Sequence, residues 1–150
     1  MAKNSISIDA APEEVYAVLN DAAAYPRWVV GAKRLRGIDP GWPRVGTRFH
    51  HRIGAGPLTL DDSSKILRKR KNREVDLEVR FRPVGVATVQ LRLRPQQRGR
   101  ATLVTMKERA TRGPAGWIWS WPLNAAIRVR NAWSLRRLRR LVESRATSSA

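Results

Sequence analysis

The chain has 150 residues and a mass of 17.0 kDa, one domain of ordinary size with room for a core and one internal pocket. It has no cysteine and two adjacent histidines, which excludes disulfides, thiolate catalysis and Cys- or His-rich metal centres. The formal net charge is +18 and is unevenly spread: residues 1–64 hold 8 Lys/Arg against 7 Asp/Glu, and residues 65–150 hold 22 against 5.

That asymmetry fits contact with a polyanion or an anionic membrane surface. The ratio of 24 Arg to 6 Lys fits GC-rich codon usage equally well. The opening MAKNSISIDAAPEE has no apolar core of a signal peptide. No stretch reaches the about 18 uncharged apolar residues of a membrane span. A soluble cytoplasmic protein is the expectation.

Ser5-Ile6-Ser7-Ile8 alternates polar and apolar residues, so residues 3–9 read as a strand. Pro12, Glu13 and Glu14 look like a first helical turn, and Val15, Val18 and Leu19 supply its apolar stripe. A second short helix is expected around 21–25, stopping at Pro26, with Trp28 as a core anchor. GIDPGWPRVG, residues 37–46, reads as a turn-rich loop.

From Thr47 the pattern is β. TRFHHRI sets Phe49, His51 and Ile53 on one face, and LTLDDSSKIL sets Leu58, Leu60, Asp62, Ser64 and Ile66 on one side. EVDLEVRFR points Val75, Leu77, Val79 and Phe81 inward, and after a turn at Pro83–Gly85 the next strand does the same with Ala87, Val89, Leu91 and Leu93. ATLVTMKER places Thr102, Val104, Met106 and Glu108 on a shared face. One apolar and one polar face per strand is the pattern of an antiparallel sheet solvated on one side.

Pro122 then opens a long helix to about 143, whose Leu123, Ile127, Leu135, Leu138, Leu141 and Val142 fall in an arc of roughly 120°. Arg128, Arg136, Arg137, Arg139 and Arg140 lie outside that arc, and the tail ATSSA is expected to fray. The chain reads as a single domain over 1–150 with an ordered core of about 3–145.

A bent sheet with one apolar face needs a cover, and only the C-terminal helix is long enough. The element order, the opening SISIDAAPEEVYAVLNDAAAYPRWV, the GWPRVGTRFHHR stretch and the final Arg-rich helix resemble the START/Bet v 1-like superfamily. Within it, the nearest look is to bacterial polyketide cyclase/dehydrase and lipid-transport-like proteins. The resemblance implies an α+β helix-grip fold. A curved antiparallel sheet of about seven strands would wrap the long helix, with two short helices after strand 1. It also implies a hydrophobic ligand pocket, but it does not fix a reaction.

On these faces three ionisable groups point inward: His51, Asp62 and Glu108. An imidazole beside a carboxylate is a usable acid–base pair, so these are the candidates for catalysis or for orienting a ligand. The expected pocket wall comprises these three with Trp28, Phe49, Leu60, Val79, Leu91, Val104, Met106 and Ile127. Tyr25 is a core or wall residue. No metal, cofactor or nucleophile motif is expected.

The main expectation is a binder or carrier of a small hydrophobic molecule such as a lipid, polyketide or quinone-like compound. A polyketide cyclase/dehydrase-type enzyme using His51 with Asp62 or Glu108 is the alternative. Trp117, Trp119 and Trp121 suit either an apolar gate or the closed end of the core. Trp133, opposite the helix's apolar arc and near Arg136, Arg137 and Arg140, could dock on an anionic membrane or polyanion. Specific nucleic-acid recognition is not expected.

Overall fold

The structure, a computed structural model, describes residues 2–55, 57–81, 85–112 and 121–149. Strand β1 (Ala2–Ile8) leads into helices α1 (Pro12–Leu19) and α2 (Tyr25–Trp28), joined by a 3₁₀ turn at Ala22–Ala24. Strands β2 (Ala32–Ile38), β3 (Arg48–Ala55), β4 (Leu58–Arg70), β5 (Glu74–Phe81), β6 (Gly85–Gln96) and β7 (Ala101–Arg112) follow, then helix α3 (Trp121–Ser149).

The seven strands form one antiparallel sheet in the order β1-β7-β6-β5-β4-β3-β2. Register shifts at Ile66/Arg68 in β4, at Val86/Ala87 in β6 and twice in β2 mark bulges, which bend a sheet and raise its twist. The apolar face reads as the alternation predicts: Val75, Leu77, Val79, Val89, Leu91, Leu93, Val104 and Met106 are all buried. Helix α3 closes that face with Leu135, Leu138 and Val142. Its register is pinned at both ends. Asn4 donates to the Arg128 carbonyl at 3.0 Å, and Arg145 donates to Asp21 at 3.1 Å. The expected α+β helix-grip architecture is the one observed.

Three local expectations need correction. Strand β2 lies inside a stretch that the pattern left unassigned or gave to a loop. It is an edge strand with two bulges, so its burial does not alternate cleanly. Pro26 does not stop a helix but sits in the first turn of α2, where the N–H it lacks would have had no helical partner. The tail is helical to Ser149. Thr147 and Ser148 there donate to the carbonyls of Glu143 and Ser144, each at 2.9 Å.

Trp117, Trp119 and the expected turn residues 83–84 lie outside the described residues, as do the side chains of Leu58, Leu60, Phe81, Trp121 and Leu123.

Candidate functional site

Where the bent sheet parts from α2 and α3, a cavity of about 300 Å³ remains. Its wall is apolar over most of its extent, with Trp28 from α2, Leu77 and Val79 from β5, Val89 and Leu91 from β6, and Met106 from β7. The segment Val29–Ala32 forms one side. That segment is held by Val30 N–H donating to Ser134 Oγ of α3 at 3.0 Å and by Gly54 N–H donating to the Gly31 carbonyl at 3.0 Å. Gly31 has φ +95°, a left-handed turn that side chains resist, so glycine suits the point where the chain leaves α2 for β2.

Two polar groupings interrupt the apolar wall. In the first, His51 of β3 is fully buried and its Nε2 lies 3.1 Å from Ser64 Oγ of β4. The Tyr25 ring stacks on the imidazole at 4.9 Å. Phe49 packs edge-on against Tyr25 at 4.7 Å and against Trp42 at 4.9 Å, and Trp42 donates to the Asn20 carbonyl at 2.7 Å. Burial drives the His51 pKa down to about 4, helped by the positive charges of His50 and Arg36. Burial pushes Tyr25 up to about 12, against the pull of Arg130. At neutral pH the pair is therefore a neutral imidazole and a protonated phenol.

In the second grouping, Glu108 of β7 accepts from Asn131 Nδ2 at 2.9 Å and from Arg130 Nη2 at 3.1 Å. Arg130 also donates to the Asn131 side-chain oxygen, at 3.4 Å from Nε and 3.2 Å from Nη2, closing a ring of three side chains. Glu108 and Asn131 are buried, while Arg130 keeps about a third of its side chain in solvent. A buried carboxylate needs such partners.

Of the residues expected on the wall, Trp28, His51, Val79, Leu91, Met106 and Glu108 line the cavity. Phe49 and Val104 are buried in the surrounding core instead, and Ile127 is half-buried away from the cavity. Asp62 is buried directly opposite His51 in the β3–β4 register, yet it does not line the cavity, and its Oδ1 accepts from the Ser63 N–H at 2.7 Å. The three ionisable groups thus do not converge. His51 bonds a hydroxyl, and Glu108 bonds Arg130 and Asn131.

Sequence reasoning missed Ser64, Arg130 and Asn131 as site residues. Asn131 occupies a stripe position, four residues after Ile127 and seven before Leu138, and a polar residue inside an apolar stripe is the signal that points to it. Among the described residues no three His, Asp or Glu side chains are grouped to hold a metal ion, and no helix is long and apolar enough to cross a membrane.

On the outer face of α3, Trp133 is 55% exposed and Val129 58%, and Arg136, Arg137 and Arg140 are exposed as well. Arg137 and Arg140 share an open surface cleft with Arg27 of α2.

A helix-gripped cavity of this build has relatives. Residues 2–143 match the family described as polyketide cyclase / dehydrase and lipid transport. The chain belongs to that family. No curated protein matches it. Several solved structures of the same fold are similar at low identity. A conserved protein from Geobacillus kaustophilus is 17% identical with a TM-score of 0.74, over 95% of this chain and 94% of its own. CalU16 from Micromonospora echinospora is 20% identical with a TM-score of 0.63, over 97% and 78%. The di-domain ARO/CYC StfQ of the steffimycin biosynthetic pathway is 14% identical with a TM-score of 0.73; it aligns over 97% of this chain and 51% of its own length. At these identities the likeness shows the fold that the polyketide cyclase / dehydrase and lipid transport family shares.

Proposed function

We propose that the protein binds one small hydrophobic molecule inside the cavity between the sheet, α2 and α3. The observation that carries this reading is the cavity itself. A volume of about 300 Å³ is left open beneath α3, walled by Trp28, Leu77, Val79, Val89, Leu91 and Met106, in a chain otherwise large enough to close its core. Ligand sites of this kind are concave, mostly apolar and oriented by a few polar groups. His51, Tyr25, Glu108 and Arg130 supply those groups here.

A cyclase or dehydrase working by acid–base chemistry would need a proton acceptor poised near neutral pH. The imidazole hydrogen-bonds a hydroxyl, and its pKa of about 4 makes it a weak base. Both observations favour binding or carriage over catalysis. Family membership and the ARO/CYC likeness of StfQ suggest polycyclic aromatic or polyketide-like compounds, alongside lipids, as the molecules to try first.

The test is native mass spectrometry of protein purified from its own cells, with organic extraction of the same sample. One co-purifying hydrophobic species at up to one per chain supports the reading. An empty protein that also takes up no added hydrophobic probe removes it.

A second reading concerns the outside of the molecule. Trp133, with Arg136, Arg137 and Arg140 three, four and seven residues on, presents an aromatic ring among cations on one helix face. That combination favours docking on an anionic lipid surface, where the ring adds an apolar term to the charge attraction.

A further inference from the structure

Arg27 of α2 and Arg137 and Arg140 of α3 line one open cleft of about 400 Å³, together with Leu141 and Ser144. All three arginines are exposed, and among the described residues none of them has a hydrogen-bond or ion-pair partner. The arginines of the sheet differ. Arg48 and Arg80 pair with Glu78, Arg52 with Asp61, and Arg92 with Asp76. The acids closest to the cleft in sequence are engaged elsewhere. Asp21, ahead of α2, accepts from Arg145 at 3.1 Å, and Glu143, the one acidic residue of α3, accepts from the Asp9 N–H at 3.0 Å. Arg137 and Arg140 are neighbours on the helix surface, and no carboxylate relieves their like charges. The fold thus gathers positive charge in a concave site and leaves its guanidinium donors unused.

From this arrangement we infer that the cleft takes the phosphate monoester headgroup of a membrane lipid of phosphatidate type. The inference rests on the docking reading of Trp133 above; it specifies the headgroup and adds Arg27, which α2 rather than α3 supplies. Guanidinium forks match phosphate oxygens in pairs. A monoester offers them three acceptor oxygens and a charge of about −1.5 to −2, whereas a diester headgroup has two free oxygens and a single charge. The apolar neighbours favour a lipid over a soluble phosphate ester or a nucleic acid. Trp133, 55% exposed, stands about one turn before Arg137 on the same face, and Val129, 58% exposed, about one turn before that. Acyl chains give those side chains an apolar partner, which a free phosphate or a duplex backbone does not.

The experiment is co-sedimentation with phosphatidylcholine vesicles that carry either phosphatidate or phosphatidylglycerol, matched in surface potential. Wild-type protein should bind the phosphatidate vesicles about 10-fold tighter, the size of one charge-assisted hydrogen bond. Arg27→Gln, at an exposed position that leaves the fold intact, should erase that preference. Arg94→Gln, an exposed arginine of β6 outside the cleft, should keep it. Trp133→Ser should weaken binding to both vesicles alike and leave the preference in place. Glycerol 3-phosphate at millimolar concentration should not displace the protein from phosphatidate vesicles. Equal binding of the two vesicles, or a preference that survives Arg27→Gln, would overturn the inference while the Trp133 reading stands. Displacement by glycerol 3-phosphate would assign the cleft to a soluble phosphate ester, and tighter binding of a short DNA duplex at the same salt would assign it to nucleic acid; either result overturns the lipid. Binding of neither anionic vesicle would overturn both readings.

Discussion

Glu108 is nearly sealed from solvent and holds two donors, so its replacement by Ala has a cost that can be apportioned. Asn131 is fully buried, and losing its 2.9 Å acceptor strands an amide N–H away from water, at about 1–3 kcal/mol. Arg130 has 31% of its side chain exposed and can turn outward, so the lost ion pair adds only about 0–1 kcal/mol. The expected total for Glu108→Ala is about 1–4 kcal/mol. For a domain of this size that lowers the melting temperature by roughly 2–4 °C per kcal/mol. Urea unfolding followed by circular dichroism gives the number directly, with an unchanged m-value showing that only stability moved. Glu108→Gln retains an acceptor for Asn131 and should cost less. The double change Glu108→Leu with Asn131→Leu removes both partners at once and should lie nearer wild type than Glu108→Ala. A Glu108→Ala midpoint within about 0.5 kcal/mol of wild type would refute the argument, because surface substitutions behave that way.

Three further outcomes are expected. Leu138→Ala, at a fully buried position on α3, should cost about 2–5 kcal/mol, whereas Arg137→Ala beside it should be near neutral; equal effects in a thermal melt would mean that α3 does not cover the core. His51 has a pKa of about 4 folded against 6.5 for the free side chain, so the unfolded chain takes up its proton first as pH falls. The stability from keeping His51 neutral is complete above pH 6.5 and is lost progressively down to about pH 4, at most about 3 kcal/mol. The difference in unfolding free energy between wild type and His51→Gln, measured at pH 7.5 and 4.5, should shrink accordingly; a constant difference would contradict it. Trp133→Ser should weaken binding to anionic vesicles even at high salt, and Arg136 with Arg140 changed to Gln should matter more than Arg92 with Arg94; equal losses would indicate a diffuse field.

The strands were legible where alternation was strict. β5, β6 and β7 each carry four or more residues in unbroken period 2, and among the described residues the positions expected inward from Val75 to Glu108 are buried, with Asp76 buried on the opposite face as well. β2 was not legible because an edge strand with bulges at Ala32/Arg34 and Leu35/Gly37 has no single buried face to imprint a period. His51 and Glu108 emerged as inward ionisable groups because a polar residue on an apolar face stands out in a strand. Their partners did not. Whether His51 meets Asp62 or Ser64 depends on side-chain direction between paired strands, and Arg130 reaches Glu108 from across the molecule. Asn131 was obscured by the arginines around it, although its place in the Ile127–Leu138 stripe carried the information.

The central claim is that the space beneath α3 receives a ligand, and filling that space tests it most directly. Val79 lines the cavity and is 4% exposed, so Val79→Trp directs an indole into the open volume of about 300 Å³. Fluorescence titration with N-phenyl-1-naphthylamine, an uncharged probe that the arginine-rich surface does not attract, measures occupancy. The account predicts a single saturable site in the wild type, and its loss in Val79→Trp with far-UV circular dichroism and cooperative unfolding retained. Wild-type protein that takes up no probe, or a folded Val79→Trp variant that binds it as well as wild type, would contradict the claim.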